Sequence, residues 1–195
     1  MNEDLEDIIN ASWKKLTGQR DGDNAGFKYI QVCSYAADYI DAYTVVLREG
    51  SADNRSIIFY TDVRSPKVGD IKQNNKLTVI SYNDEQKIQL ILKGEAEIHF
   101  QNDTAAFYWQ KDGYRSRRSY LAQPAPTTSV EEATDGLLHL SNRKFDDADA
   151  AGYENFAVVK INVNYLEYLQ LSRDGNRRAK FSWQGAGWDG TWLIP

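Results

Sequence analysis

The stretch RSIIFYTDVRSPK, Arg55–Lys67, decides how the rest of the chain is read. Ile57, Ile58, Phe59 and Tyr60 form a β-branched and aromatic run, the composition of a buried strand. The polar residues after it turn the chain into a helix. Ser65 is a good N-cap, and Pro66 fits the first helical position, where its missing N–H costs nothing. Val68 and Ile71 continue at helical spacing, and Asn74-Asn75 ends the run. A strand thus delivers the hydroxyls of Tyr60 and Thr61 beside a helix N-terminus flanked by Arg64 and Lys67. Two cations and the positive end of a helix dipole suit a phosphate. The same residues also suit an ordinary strand–turn–helix with a solvated basic turn, and on these residues alone both readings stand.

Outward from this stretch the chain is rich in strand patterns. Upstream, Met1–Arg20 places Leu5, Ile8, Ile9, Trp13 and Leu16 near helical spacing, with acids early and Lys14-Lys15 late, which predicts an amphipathic helix. Thr17–Ala25 is a polar loop. Phe27–Cys33 alternates as a strand, Ala36-Ala37-Asp38 turns, Tyr39–Arg48 is a second strand, and Glu49–Asn54 is a loop. Downstream, Lys76–Tyr82 is a strand and Asn83-Asp84-Glu85 a turn. Lys87–Phe100 is a long strand in which Gly94 marks a bulge or bend, as at a barrel corner.

Asp103–Lys111 is expected to be helical and to end at Asp112-Gly113. Tyr114–Ala122 is basic and flanked by tyrosines, without a decisive period, and Gln123–Ser129 is a Pro-containing loop. Ser129 and Glu132 form a capping-box pattern that predicts a helix over Ser129–Asn142, with Val130, Ala133, Leu137 and Leu138 as its apolar positions. Asp146–Gly152 is acidic. Phe156–Val163 and Tyr165–Leu171 are strands, Ser172–Gly175 is a hairpin turn, and Asn176–Trp183 is another strand. Gly185–Gly190 is a link before a last short strand at Thr191–Pro195. About eight strands joined by short turns predict a mainly β fold, a mostly antiparallel split barrel with a few peripheral helices. The expected organisation is a single domain over residues 1–195, with residues 1–20 as its N-terminal helix.

Bulk properties exclude several classes. The net charge of −5 argues against a general nucleic-acid binder but leaves room for an anionic small ligand at one local cluster. A single cysteine, Cys33, allows no intrachain disulfide and no Cys-based zinc site. Two histidines, His99 and His139, do not suggest a metal centre, and both read as structural. Cys33 reads as a small buried hydrophobe. No stretch has the apolar length of a membrane span or signal peptide, so the reading is a soluble cytoplasmic protein without membrane partners. Twelve tyrosines and five tryptophans suit strands, an interface or a planar ligand. Trp183, Trp188 and Trp192 read as core and interface aromatics. Arg115, Arg117 and Arg118, between Tyr114 and Tyr120, suit a phosphate clamp or nucleic-acid patch on one reading and a basic surface loop or dimer contact on the other.

Four pieces then fall in a recognisable order: Val45-Val46-Leu47-Arg48, FYTDVRSPK at Phe59–Lys67, QLILKGEA at Gln89–Ala96, and WLIP at Trp192–Pro195. Together they resemble the pyridoxamine 5′-phosphate oxidase-like, FMN-binding split-barrel family over roughly Phe27–Pro195. The T-D-x-R-S-x-K form is most similar to the FMN-binding relatives rather than to the oxidases proper. The resemblance implies FMN bound at the interface of a homodimer. It places Val45, Val46, Leu47 and Arg48 along the flavin, Tyr60 and Thr61 in contact with it, and Arg64, Ser65 and Lys67 around its phosphate. It turns the Gln89 amide toward the ring, and it puts Lys180 where the family has a C-terminal arginine near the flavin.

This chain also departs from the family pattern. Tyr43 stands where the family has an arginine. Ser65-Pro66-Lys67 replaces S-R-K, with the arginine moved to Arg64. Leu169 falls near the place of a flavin-facing tryptophan. Asn176-Arg177-Arg178 replaces the R-L-H that would hold pyridoxal phosphate. The implied function is an FMN-binding protein, an FMN-dependent oxidoreductase acting on a small molecule. The alternatives are a non-catalytic flavin carrier or sensor, a true pyridoxamine 5′-phosphate oxidase, and an interaction or nucleic-acid module using Tyr114–Tyr120. No catalytic residue is assigned and no metal site is expected.

Overall fold

In a computed structural model of the chain, which describes residues 3–18, 26–138 and 150–195, nine strands join one antiparallel sheet. They are β1 (Tyr29–Ala36), β2 (Tyr39–Val46), β3 (Glu49–Ser51), β4 (Ser56–Asp62), β5 (Lys76–Asn83), β6 (Ile88–Phe100), β7 (Phe156–Gln170), β8 (Arg177–Trp183) and β9 (Trp188–Leu193). Their order is β2-β1-β5-β6-β7-β4-β3, with β8 also paired to β7 and β9 paired to β8. The helices are α1 (Glu3–Thr17), α2 (Pro66–Gln73), α3 (Asp103–Lys111), α4 (Tyr114–Arg117), which runs into a 3₁₀ turn at Arg118–Leu121, and α5 (Ala150–Tyr153).

Strand alternation makes the sheet two-faced. The inner face carries Ile30, Val32, Ile57, Phe59, Val79, Leu90, Leu92, Val159, Ile161 and Phe181, which form the main core. The α1 residues Leu5, Ile8, Ile9, Trp13 and Leu16 seal this core, and Trp13 packs near Trp188 with ring centroids 6.3 Å apart. The Arg48 amide donates to the Ile58 carbonyl at 2.8 Å, joining the end of β2 to β4 and closing the barrel there. At the β4–β7 end the outer face is roofed by α3 and the 3₁₀ turn. Ile58, Ala105, Tyr108, Tyr120, Phe156 and Val158 make a second, smaller core there.

The mainly β, antiparallel split barrel agrees with the sequence expectation. Several details differ, among them the last strand, which runs Trp188–Leu193 rather than Thr191–Pro195. The segment after Arg48 is not all loop, since Glu49–Ser51 pairs with β4. The two strands expected at Phe156–Val163 and Tyr165–Leu171 are one 15-residue strand, β7. Lys93 pairs with Tyr165 and Gly94 with Val163, so Asn164 is an extra residue in the ladder. The bulge expected from Gly94 is therefore this same feature. Gly94 is required because a Cβ there would collide with the Asn162 backbone carbonyl.

The helix expected over Ser129–Asn142 is not formed over 129–138. The Thr134 hydroxyl accepts from the Gly136 amide and the Asp135 carboxylate from the Leu137 amide, local bonds that compete with a helix. Its apolar positions also find no core, for Val130 and Leu138 are exposed. The rest of that stretch, His139, and most of the acidic Asp146–Gly152 segment lie outside the described residues. Cys33 is partly exposed rather than buried. Among the described residues no helix is long and apolar enough to cross a membrane.

Candidate functional site

Alternation along the end of β2 divides the residues expected along a flavin. Tyr43, Val45 and Leu47 turn inward and pack on the main core. Val46 and Arg48 turn outward. The same rule separates Tyr60 from Thr61. Tyr60 faces the roofed outer surface, 5.0 Å from the Phe156 ring and 5.9 Å from Tyr108. Thr61 is buried on the other side.

Gln89 and Lys180 both lie on the outer face. One row runs through Thr44, Gln31, Ile80, Ile91, Glu167, Lys180 and Thr191 by direct pairing. Val46 and Gln89 are two residues along from this row, on the same face. Three strand spacings separate β2 from β6, roughly 14 Å. Tyr29 and Tyr82 lie on the intervening strands and are exposed.

At the end of β4 the chain makes a tight turn organised by Asp62. Its carboxylate accepts from the Arg64 amide at 2.8 Å and from the Arg64 guanidinium at 2.9 Å and 2.6 Å. Arg64 also donates to the Ala122 carbonyl at 3.0 Å. The hydrogen bond to Asp62 raises the Arg64 pKa. Arg64 is thus ion-paired inside its own turn.

Lys67 is held differently. Its Nζ donates to Ser65 Oγ at 2.7 Å and stands 4.8 Å from the centroid of the Tyr43 ring. Among the described residues it makes no ion pair. Burial lowers its pKa, against the weaker upward pull of Asp62 and Asp70. Ser65 occupies the N-cap of α2, but its hydroxyl receives Lys67 instead of capping the helix. A half-buried ammonium with no direct ion pair among the described residues, beside a helix N-terminus, is a position stabilised by an anion.

Arg48 belongs to a second cluster, under the α3–α4 roof. Its guanidinium lies 4.8 Å from the Tyr60 ring centroid, 3.4 Å from Asp112 Oδ1 and 2.8 Å from Ser116 Oγ. Asp112 is buried, and its Oδ2 has no hydrogen-bond partner among the described residues. Within the basic segment Arg115 is exposed, whereas Arg117 is tied inward. Arg117 donates to the carbonyls of Asp112 and Gln110 and stacks on Trp109, capping the end of α3.

Lys180 is exposed. Two residues before it, Arg178 is fixed by Glu167 Oε1 at 2.9 Å and 2.6 Å, and the Tyr165 hydroxyl donates to Glu167 Oε2 at 2.7 Å. Burial and this bond push the Tyr165 pKa up to about 12. Arg178 pairs with Leu169, which pairs with Gln89, so it shares Gln89's row. The structure therefore brings Ser65 and Lys67 together with Tyr43, and sets Val46 and Gln89 on one outer face. It sets Arg48 and Tyr60 apart under the roof. Sequence reasoning missed Asp62 as the partner of Arg64, although an acid two residues before an arginine in a turn is a local signal. It also missed Glu167, an acid on the outward phase of an otherwise aromatic and aliphatic strand.

Residues 10–100 match the family model described as "Pyridoxamine 5′-phosphate oxidase, FMN-binding domain". Similar solved structures include a pyridoxamine 5′-phosphate oxidase-related, FMN-binding protein from Nostoc punctiforme PCC 73102, at 16% identity and TM-score 0.75, covering 96% of each chain. PhzG from Burkholderia lata 383, solved with tetrahydrophenazine-1-carboxylic acid, is similar at 18% identity and TM-score 0.70, covering 97% of this chain and 91% of that one. A protein related to general stress protein 26 from Clostridium acetobutylicum is similar at 12% identity and TM-score 0.53, covering 88% of this chain and 91% of that one. At these identities the likeness is one of fold. No curated protein matches the sequence. Residues 10–100 thus resemble the FMN-binding domain of the pyridoxamine 5′-phosphate oxidase family, and nearly the whole chain shares the split-barrel fold of these structures.

Proposed function

We propose that the protein is a cytoplasmic, homodimeric, single-domain FMN-binding oxidoreductase acting on a small molecule. The observation that carries the reading is Lys67. It is an ammonium without an ion pair among the described residues, half-buried at the start of α2, within the stretch that matches the FMN-binding-domain model. A phosphate carrying about two negative charges relieves the cost of that buried cation. In this reading Lys67 and Ser65 hold the phosphate, while Val46 and Gln89 line the outer face where the ring lies. The Gln89 amide both donates and accepts, which suits the edge of an isoalloxazine. Arg64 and Thr61 shape the turn around the phosphate, and Lys180 stands at the C-terminal edge of the same face.

When bound, FMN supplies the redox chemistry, and the protein supplies binding, orientation and exclusion of water. The outer face gives a reason for the dimer. Tyr29, Tyr35, Ile40 and Tyr82 are exposed on it, and a second copy of the chain would cover them. One feature speaks against pyridoxamine phosphate as substrate: Asn176-Arg177-Arg178 stands in place of the R-L-H pattern.

The test is the absorbance spectrum of the purified protein, before and after incubation with FMN and desalting. Flavin bands released on denaturation are expected. A colourless protein that also ignores added FMN overturns the reading. Anaerobic reduction by a nicotinamide, followed by reoxidation with a small-molecule acceptor, separates an enzyme from a flavin carrier.

A further inference from the structure

We propose that Tyr43 is a positioning residue, whose ring face holds the Lys67 ammonium where it meets the phosphate of the flavin. This rests on the flavin reading above and goes beyond it, by assigning a role to the position where the family's arginine is missing. The Lys67 Nζ is confined from two sides, by Ser65 Oγ at 2.7 Å and by the Tyr43 ring at 4.8 Å. An ammonium over an aromatic face is attracted by the ring's quadrupole, and more strongly where water is excluded. Both conditions hold here, since Lys67 is half-buried and Tyr43 packs against the core.

Ordinarily a lysine stem loses much rotamer freedom when it is fixed. Here that freedom is already removed before any ligand arrives. The other cation of the turn is not available in the same way, because Asp62 and the Ala122 carbonyl hold the Arg64 guanidinium. The phosphate cradle therefore rests on one cation, and the placement of that cation rests on Tyr43.

The hydroxyl is not what matters. The Tyr43 oxygen is buried and lies close enough to Ser34 to influence it, yet neither hydroxyl makes a hydrogen bond of ordinary geometry among the described residues. The ring is the functional part. Tyr43→Phe is therefore expected to behave as wild type, while Tyr43→Leu loses the π face.

The experiment titrates full-length wild type, Tyr43→Phe, Tyr43→Leu, Lys67→Met and the Tyr43→Leu/Lys67→Met double variant with FMN and with riboflavin, following quenching of flavin fluorescence. Tyr43→Leu is expected to weaken FMN binding about tenfold. Its riboflavin affinity should stay unchanged, and in the Lys67→Met background it should have little further effect on FMN. Circular dichroism establishes folding, and Tyr43→Met serves as the ring-free variant if Tyr43→Leu does not fold. Three results overturn the role of Tyr43: a ring-free variant with wild-type FMN affinity, equal losses for FMN and riboflavin, or fully additive effects in the double variant. Wild-type protein that binds neither flavin defeats the flavin reading itself, a result distinct from any of these.

Discussion

The charge that matters most at the candidate site is Lys67, and its surroundings set its behaviour. Lys67→Met is expected to weaken FMN binding by roughly 10- to 150-fold, the worth of a charge-assisted bond of about 1.5–3 kcal/mol, and to leave riboflavin binding unchanged. Isothermal titration with the two flavins checks this. The pH dependence has a definite sign. Burial lowers the Lys67 pKa, so in the flavin-free protein the ammonium loses its proton at lower pH than an ordinary lysine. FMN affinity is therefore expected to be full below that lowered value and to fall as pH rises through it, and Lys67→Met is expected to remove that component. The folded chain also binds fewer protons than the unfolded one in the same window. The cost of burying Lys67 is accordingly present at neutral pH and is lifted as pH climbs toward the ordinary lysine value. Much of this site was legible in sequence, since Ser65, Pro66 and Lys67 are neighbours and a helix start is a local signal. What could not be read was which cation was already paired. Asp62 claims Arg64, and Asp112, far along the chain, claims Arg48.

Elements with strong local signals came out at or near their expected bounds. The α3 helix spans Asp103–Lys111, and the Asn102 side chain accepts from the Ala105 amide at its start. The α2 helix begins at Pro66. Elements whose form depends on distant partners did not. Asn164 reads as a break between two strands, but β7 runs through it because β6 and β8 pair with it on either side. Glu49–Ser51 has no strand composition and becomes β3 only because β4 lies beside it. The bulge joins these two kinds of evidence. Gly94→Ala forces a methyl against the Asn162 carbonyl and is expected to destabilise the fold by about 1–3 kcal/mol, read by urea denaturation. An unchanged midpoint would mean that the β6–β7 ladder shifts freely at this point.

At the scale of the whole molecule, the exposed Ile40 near the β1–β2 hairpin and the row through Val46 and Gln89 belong to one outer face. Ile40→Glu is expected to shift the protein from dimer to monomer in analytical ultracentrifugation and to weaken FMN binding with it. A monomer that binds FMN as well as wild type would separate the cofactor site from the interface. A different consequence follows from β7. It pairs with β4 over Phe156–Asn162, about a hundred residues after β4 itself, and with β6 along nearly all its length. Without β7, β4 keeps only the three residues of β3 as a strand neighbour. The portion of the chain that matches the family model therefore pairs β2-β1-β5-β6 by itself but leaves the β3–β4 pair, and the turn that follows it, unjoined to that sheet. On a ribosome, the turn bearing Lys67 emerges early but has no stable framework until the last fifth of the chain follows. Such long-range closure makes folding slow and leaves strand edges open in the interim. A fragment of residues 1–100 should show no cooperative thermal transition, whereas the full chain should melt cooperatively.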